Sequence, residues 1–306
     1  MSYGNETNTS RTRENTAKAR SVKDAKGERK PIKKRQRNKK MINCNELNKT
    51  FESKELLFAE LKANKEFILA EKKSQIQKSC DKGNTLISKS VIIAKSLEAI
   101  KNFEVDDNFY YVAVNSTNIL DSHKDLHLKG IWNKTVKEQQ GKNYLVADHE
   151  LKLLSTIAQK EDIEIFTQIL PFSAIGKDYK GETEVLIYKI AKNKVRESYK
   201  EFLEGNIEAS VRMQYVNISL AMKSTVKGDE AELKAYLDNI DLIANKDDFE
   251  DEILYFFTVS EAKNVRESSL VLFGSNESTG MIQAVKALEK TIEPIIIITQ
   301  KTKRRY

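Results

Sequence analysis

The chain has 306 residues, 40% apolar and 32% charged, with only 3 Pro, 2 Cys and 3 His. That length admits one large domain or two ordinary ones, and so polar a composition supports a packed core only if part of the chain stays outside it. Residues 1–40 hold 14 Lys and Arg against 4 Asp and Glu, which leaves 38 against 41 in the remainder. The net charge of +7 therefore belongs to the N-terminal arm, and no nucleic-acid surface spread over the body is implied.

In chain order, residues 1–40 are Asn, Thr, Ser, Lys, Arg and Glu with almost nothing apolar. Ordering them would cost entropy that no burial offsets, so a disordered basic tail is expected. Its Lys33–Lys40 run suits weak contact with nucleic-acid phosphates, or a localisation signal; a plain solvated tail is the simpler alternative. Residues 41–106 read as a helical assembly segment. Leu56, Leu57, Leu61, Phe67, Ile68 and Leu69, then Ile92, Ile93, Leu97 and Ile100, recur at three-to-four spacing amid Lys and Glu. Helices this charged are expected on a partner or on another copy of the chain, with a plain helical hairpin as the alternative, and association of copies stands among the expectations.

The period changes at Asp107. Phe109–Val114 is an aromatic and β-branched run typical of a strand. Further strands are predicted at 144–147, 163–170, 184–190, 209–220, 253–259 and 269–273, with helices at 193–203, 230–243 and 281–292. Strands with interspersed helices predict an α+β, barrel-like domain over residues 107–280. Residues 281–306 add a C-terminal helix, a short strand and a basic tail.

Cys44 and Cys80 are too far apart for a zinc knuckle and too few for a disulfide framework, which fits a reducing compartment. The aliphatic run Ile295–Ile298 falls far short of a membrane span, and the N-terminus lacks the apolar stretch of a signal peptide; no membrane contact is expected. Phosphate-cradling glycine loops, dinucleotide fingerprints, paired-cysteine zinc patterns and Gly-x-Ser-x-Gly elbows are missing from the sequence, so no cofactor is expected.

Three histidines can be weighed singly. His123 and His127 stand four apart, a zinc spacing when helical, but their Asp-rich surroundings read as a polar loop and no metal is assigned. His149 follows the strand at 144–147, flanked by Asp148 and Glu150, at a strand end where scaffolds present reactive groups. Ser210 opens a long strand, and a serine becomes a nucleophile only beside a base. Glu267 could orient and balance an imidazolium. Each of these residues, taken alone, is ordinary.

Taken together and in order, the segments resemble the tailed-phage prohead serine proteases, whose fold is that of the herpesvirus capsid maturation protease, assemblin. The match runs through the Asp121–Lys134 loop with its Gly130, the pair Asp148-His149, the stretch from Glu204-Gly205 into Ala209-Ser210-Val211, and Arg266–Asn276. It covers about residues 109–281. Arg212 and Met213 stand where many relatives carry a glycine and an aromatic, and Gly274-Ser275-Asn276 replaces the usual Pro-Ala-Asn turn.

The resemblance implies a serine endopeptidase that cleaves major capsid or scaffold protein inside an assembling procapsid in the host cytoplasm. Ser210 would be the nucleophile, His149 the base, Glu267 the third member, and Arg212 a support for the oxyanion; Asp148 competes with Glu267 for its role. The order His149, Ser210, Glu267 differs from that of the common serine hydrolases. The alternative is a non-enzymatic virion component that keeps a protease-like fold and binds nucleic acid through its tail.

Overall fold

A computed structural model describes residues 41–80, 106–205 and 207–272. The expected basic tail at 1–40, the helical pattern at 92–100 and the C-terminal helix, strand and tail at 281–306 lie outside them.

The chain begins with the hairpin of β1 (Ile42–Cys44) and β2 (Lys49–Phe51), followed by α1 (Lys54–Ala63) and α2 (Lys65–Ser74). Strands β3 (Gln77–Cys80), β4 (Phe109–Ser116) and β5 (Asp125–His127) precede a short α3 (Asn133–Glu138). Then come β6 (Tyr144–Ala147), β7 (Thr156–Ala158), β8 (Ile163–Pro171) and β9 (Glu182–Ala191). A short α4 (Lys200–Glu204) leads into β10 (Glu208–Met222), and α5 (Glu230–Asn239) into β11 (Tyr255–Val271).

The fold is mixed α+β. One sheet has the order β3-β10-β11-β6-β7, with β5 also pairing β11, and a second has the order β4-β9-β8. Among the described residues neither sheet closes on itself. The period-2 alternation of β4 explains how the second sheet serves two cores. Tyr110, Val112 and Val114 point into the main apolar cluster with Leu186, Tyr188 and Ile190 of β9. Tyr111 and Ala113 face the opposite cluster, with Leu170, Phe172, Val185 and Ile187.

The two helices near the start are filled from within the chain. Ser53 caps α1 by accepting the Leu56 amide at 3.3 Å, and Leu57, Phe58, Leu61, Ile68 and Leu69 join the same cluster as Val211, Met213 and Tyr215 of β10. Of the apolar residues expected to meet a partner, Leu57, Leu61, Ile68 and Leu69 thus pack on this chain's own sheet, while Leu56 and Phe67 stay exposed. Charge then fixes the helices laterally. Lys72 donates to Asp125 at 2.6 Å, and Tyr215 donates to the other carboxylate oxygen at 3.0 Å.

Two segments differ from their sequence pattern. Residues 193–203 do not form one helix, because Val195 is extended to bury its side chain and Arg196 stays extended to bond the Ile157 carbonyl. The strands expected at 253–259 and 269–273 are one strand, β11, bent by a bulge between them.

Lys62 and Lys65 both donate at 2.7 Å to Glu232 of α5, whose side chain is 1% exposed. Burial by itself pushes the Glu232 carboxyl up, but the two ammonium donors outweigh it and hold it at about 2. A depressed carboxyl stabilises the fold fully above its unfolded value of about 4.3, and that contribution fades as pH falls from there towards 2. Urea unfolding is expected to show a loss on the order of 3 kcal/mol across this window. The Glu232→Gln variant should lack this part of the acid dependence and be weaker at pH 7.

Candidate functional site

The central position of β11 organises the site. It pairs antiparallel with β10, placing Ser269 opposite Ser210, and parallel with β6, placing Glu267 opposite Tyr144 and Leu270 opposite Ala147. Ser210 therefore sits on one neighbour of β11, Glu267 on β11 itself, and His149 two residues past the end of the other neighbour.

The three side chains meet. Nδ1 of His149 lies 2.9 Å from Oε1 of Glu267, and Nε2 lies 2.7 Å from Oγ of Ser210. A carboxylate can only accept, so Nδ1 carries the proton and Nε2 presents its lone pair to the serine hydroxyl, which donates. Ser210 is 2% exposed and Glu267 fully buried, while the His149 side chain is 9% exposed. Asp148, the other acid considered for the third role, is exposed on the turn. Glu267 is the acid that contacts the imidazole.

Backbone geometry explains how the chain delivers these groups. Between Val211 and Met213 on β10, the opposite strand moves from Ser268 to Asn264, so β11 carries extra residues there. Arg266 within this bulge has φ +71°. A bulge breaks alternation and re-aims side chains, and here residues 267–271 are all buried after an alternating stretch. That is how a carboxylate is turned inward from a charged run. Beneath it, the Asn264 amide donates to the Tyr188 hydroxyl at 2.5 Å and to Ser268 at 3.1 Å. Burial, with Glu267 nearby, pushes the Tyr188 phenol well up, so it stays protonated. Oε2 of Glu267 has no hydrogen-bond partner among the described residues.

His149 is held by its main chain. Asp148 and His149 have φ of +51° and +58°, a left-handed turn that Asp and His tolerate better than most residues. The Asp148 amide donates to the Leu270 carbonyl at 2.9 Å, and the His149 amide to Oγ of Ser269 at 2.8 Å. Ser269 hence fixes the turn from the same strand that carries the carboxylate. Strain of this kind concentrates at functional sites.

No family model matches the chain, and no curated protein or solved structure matches it either. The site is therefore read from its own geometry.

Arg212 lies two residues along β10 from Ser210, on the same face by strand periodicity, and its Nε is buried with no hydrogen-bond partner among the described residues. His123 and His127 stand apart from this centre. His127 is buried in β5, 3.2 Å from the Tyr215 hydroxyl, and His123 is exposed in the loop before it. Among the described residues no cluster of three His, Cys, Asp or Glu side chains could hold a metal ion. Sequence reasoning missed the parts played by Ser269 and the bulge at Arg266. The Ser268-Ser269 pair at the mouth of an apolar strand end is the one signal for the first.

Chemically, an imidazole that accepts from a hydroxyl while donating to a shielded carboxylate can take the hydroxyl proton and be stabilised once charged. The Nδ1 proton of His149 should give a strongly downfield, slowly exchanging proton resonance. Replacing Glu267 with Gln should shift it upfield or broaden it away; persistence of the signal would place that proton on another partner.

Proposed function

We propose that this protein is a serine endopeptidase. The observation that carries the reading is the single imidazole shared between Ser210 and Glu267. Ser210 attacks a peptide carbonyl as His149 takes its proton, and His149 returns that proton to the leaving amine, leaving an ester on Ser210. Water, deprotonated by the same imidazole, then cleaves the ester and restores the hydroxyl. Glu267 keeps the proton on Nδ1 and balances the imidazolium. The unpaired Nε of Arg212, with strand-end amides, would stabilise the oxyanion; losing one such donor typically costs two to three orders of magnitude in rate.

The resemblance to prohead proteases supports a narrower version, in which the substrates are capsid and scaffold proteins in an assembling procapsid within the host cytoplasm. Under that version, the two sheets packed over one apolar cluster correspond to the barrel-like protease domain, the basic arm at 1–40 tethers the enzyme or contacts nucleic acid, and copies associate. Exposed segments of small and polar residues are also where nicking concentrates, which suits processing of an arm of this composition during assembly.

A fluorophosphonate probe should attach to Ser210, and attachment should vanish in His149→Ala. Glu267→Gln should slow peptide hydrolysis by about four orders of magnitude, the scale seen when the orienting acid of a triad is neutralised. Ser210→Ala should abolish cleavage of co-expressed capsid protein. Unchanged processing by Ser210→Ala would remove the enzymatic reading altogether.

A further inference from the structure

Five large apolar side chains face solvent where the triad-bearing strands end. These are Leu151, Leu153 and Leu154 after His149, Phe202 on α4, and Leu272 just past β11. Leu153 and Leu154 are 87% and 83% exposed. Single exposed leucines are ordinary on protein surfaces. Two adjacent ones at this exposure, in a loop that is tied down, are not.

The tie is specific. Arg196 donates from Nη1 to the Leu154 carbonyl at 2.6 Å and from Nη2 to the Leu153 carbonyl at 2.8 Å, and the Tyr199 hydroxyl donates to Leu154 at 3.1 Å. Arg196 is itself set in place by the hydrogen bond of its backbone N–H to the Ile157 carbonyl and by burial of Val195 next to it. A planar guanidinium fork fixes two carbonyls at once. The backbone is thereby clamped while the leucine side chains are presented outward. Phe202 extends the apolar surface, its ring 6.3 Å from that of Tyr199, which packs on the main apolar cluster.

We infer that the 151–154 loop is an apolar wall of the substrate-binding face, that the protein prefers peptides with large apolar side chains near the cleaved bond, and that Arg196 is the positioning residue of this wall. The inference rests on the peptidase reading above. Its occupant follows from continuity with the triad: the loop is the direct extension of the turn that bears His149. The Cα of Leu154 lies no more than about 18 Å of extended chain from the Cα of His149, about the length of five substrate residues. A peptide lying across Ser210 therefore passes this wall within its own recognition span.

The full chain would be tested against a pool of internally quenched peptides varied within five residues of the bond. Cleaved members should be enriched in Leu, Ile and Phe. In a Leu153→Ser/Leu154→Ser double variant, kcat/KM on the best peptide should fall at least tenfold more than the rate of fluorophosphonate labelling at Ser210, chiefly through KM. Arg196→Gln should reproduce that pattern with a melting temperature near the parent's. Labelling without any change in peptide selectivity would overturn the wall while leaving the peptidase intact. Neither labelling nor cleavage by the native chain would overturn the peptidase reading, and the wall with it. If sedimentation shows a dimer that the leucine variants break without changing KM, the loop is an interface between copies and the inference fails.

Discussion

The structure depends on one strand that carries different neighbours along its two edges. β11 is hydrogen-bonded to β10 on one side and to β6 on the other, antiparallel and parallel respectively. Backbone pairing places neighbouring strands within about 5 Å of each other, so these ladders bring Ser210, Glu267 and the end of β6 within side-chain reach. The fine placement is local: the bulge at Arg266 turns Glu267 inward, and the left-handed turn at Asp148 and His149 turns the imidazole back across the sheet.

Burial decides what the three side chains can do for one another. In water, a carboxylate next to an imidazolium gains about 1 kcal/mol at contact distance, and the gain grows severalfold as the surroundings become less polar. Glu267 is fully buried near Tyr188. Its attraction for a newly charged His149 is therefore much less screened than a surface pair would be. The same shielding would make an isolated carboxylate costly, and the imidazole proton is what makes its presence there tolerable.

Much of the sheet could be read from the sequence, since β4, β6, β8, β9 and β10 are runs of aromatic and β-branched residues bounded by polar turns. The three-residue strands β5 and β7 are too short to show a period. Only the middle of β11 was hidden, because Glu261, Lys263, Arg266 and Glu267 give it the look of a loop, whereas an exposed face and a bulge accommodate those charges. The helical pattern at 193–203 gave way to the burial of Val195. For the site, neither spacing nor composition singled out His149, Ser210 and Glu267; the order of whole segments did. The hold of Ser269 on the His149 backbone depends on register, which no single-sequence pattern encodes.

The parallel pairing of β6 with β11 also has a consequence in time. These strands are joined through more than a hundred intervening residues, and contacts so distant along the chain form slowly. As a ribosome extends the polypeptide, imidazole and hydroxyl emerge long before the carboxylate strand that lies between their own two strands. Until that last ladder zips into place the growing chain carries all but one of the parts with no frame to align them. The contacts of the shared imidazole thus form only once β11 lies between β10 and β6.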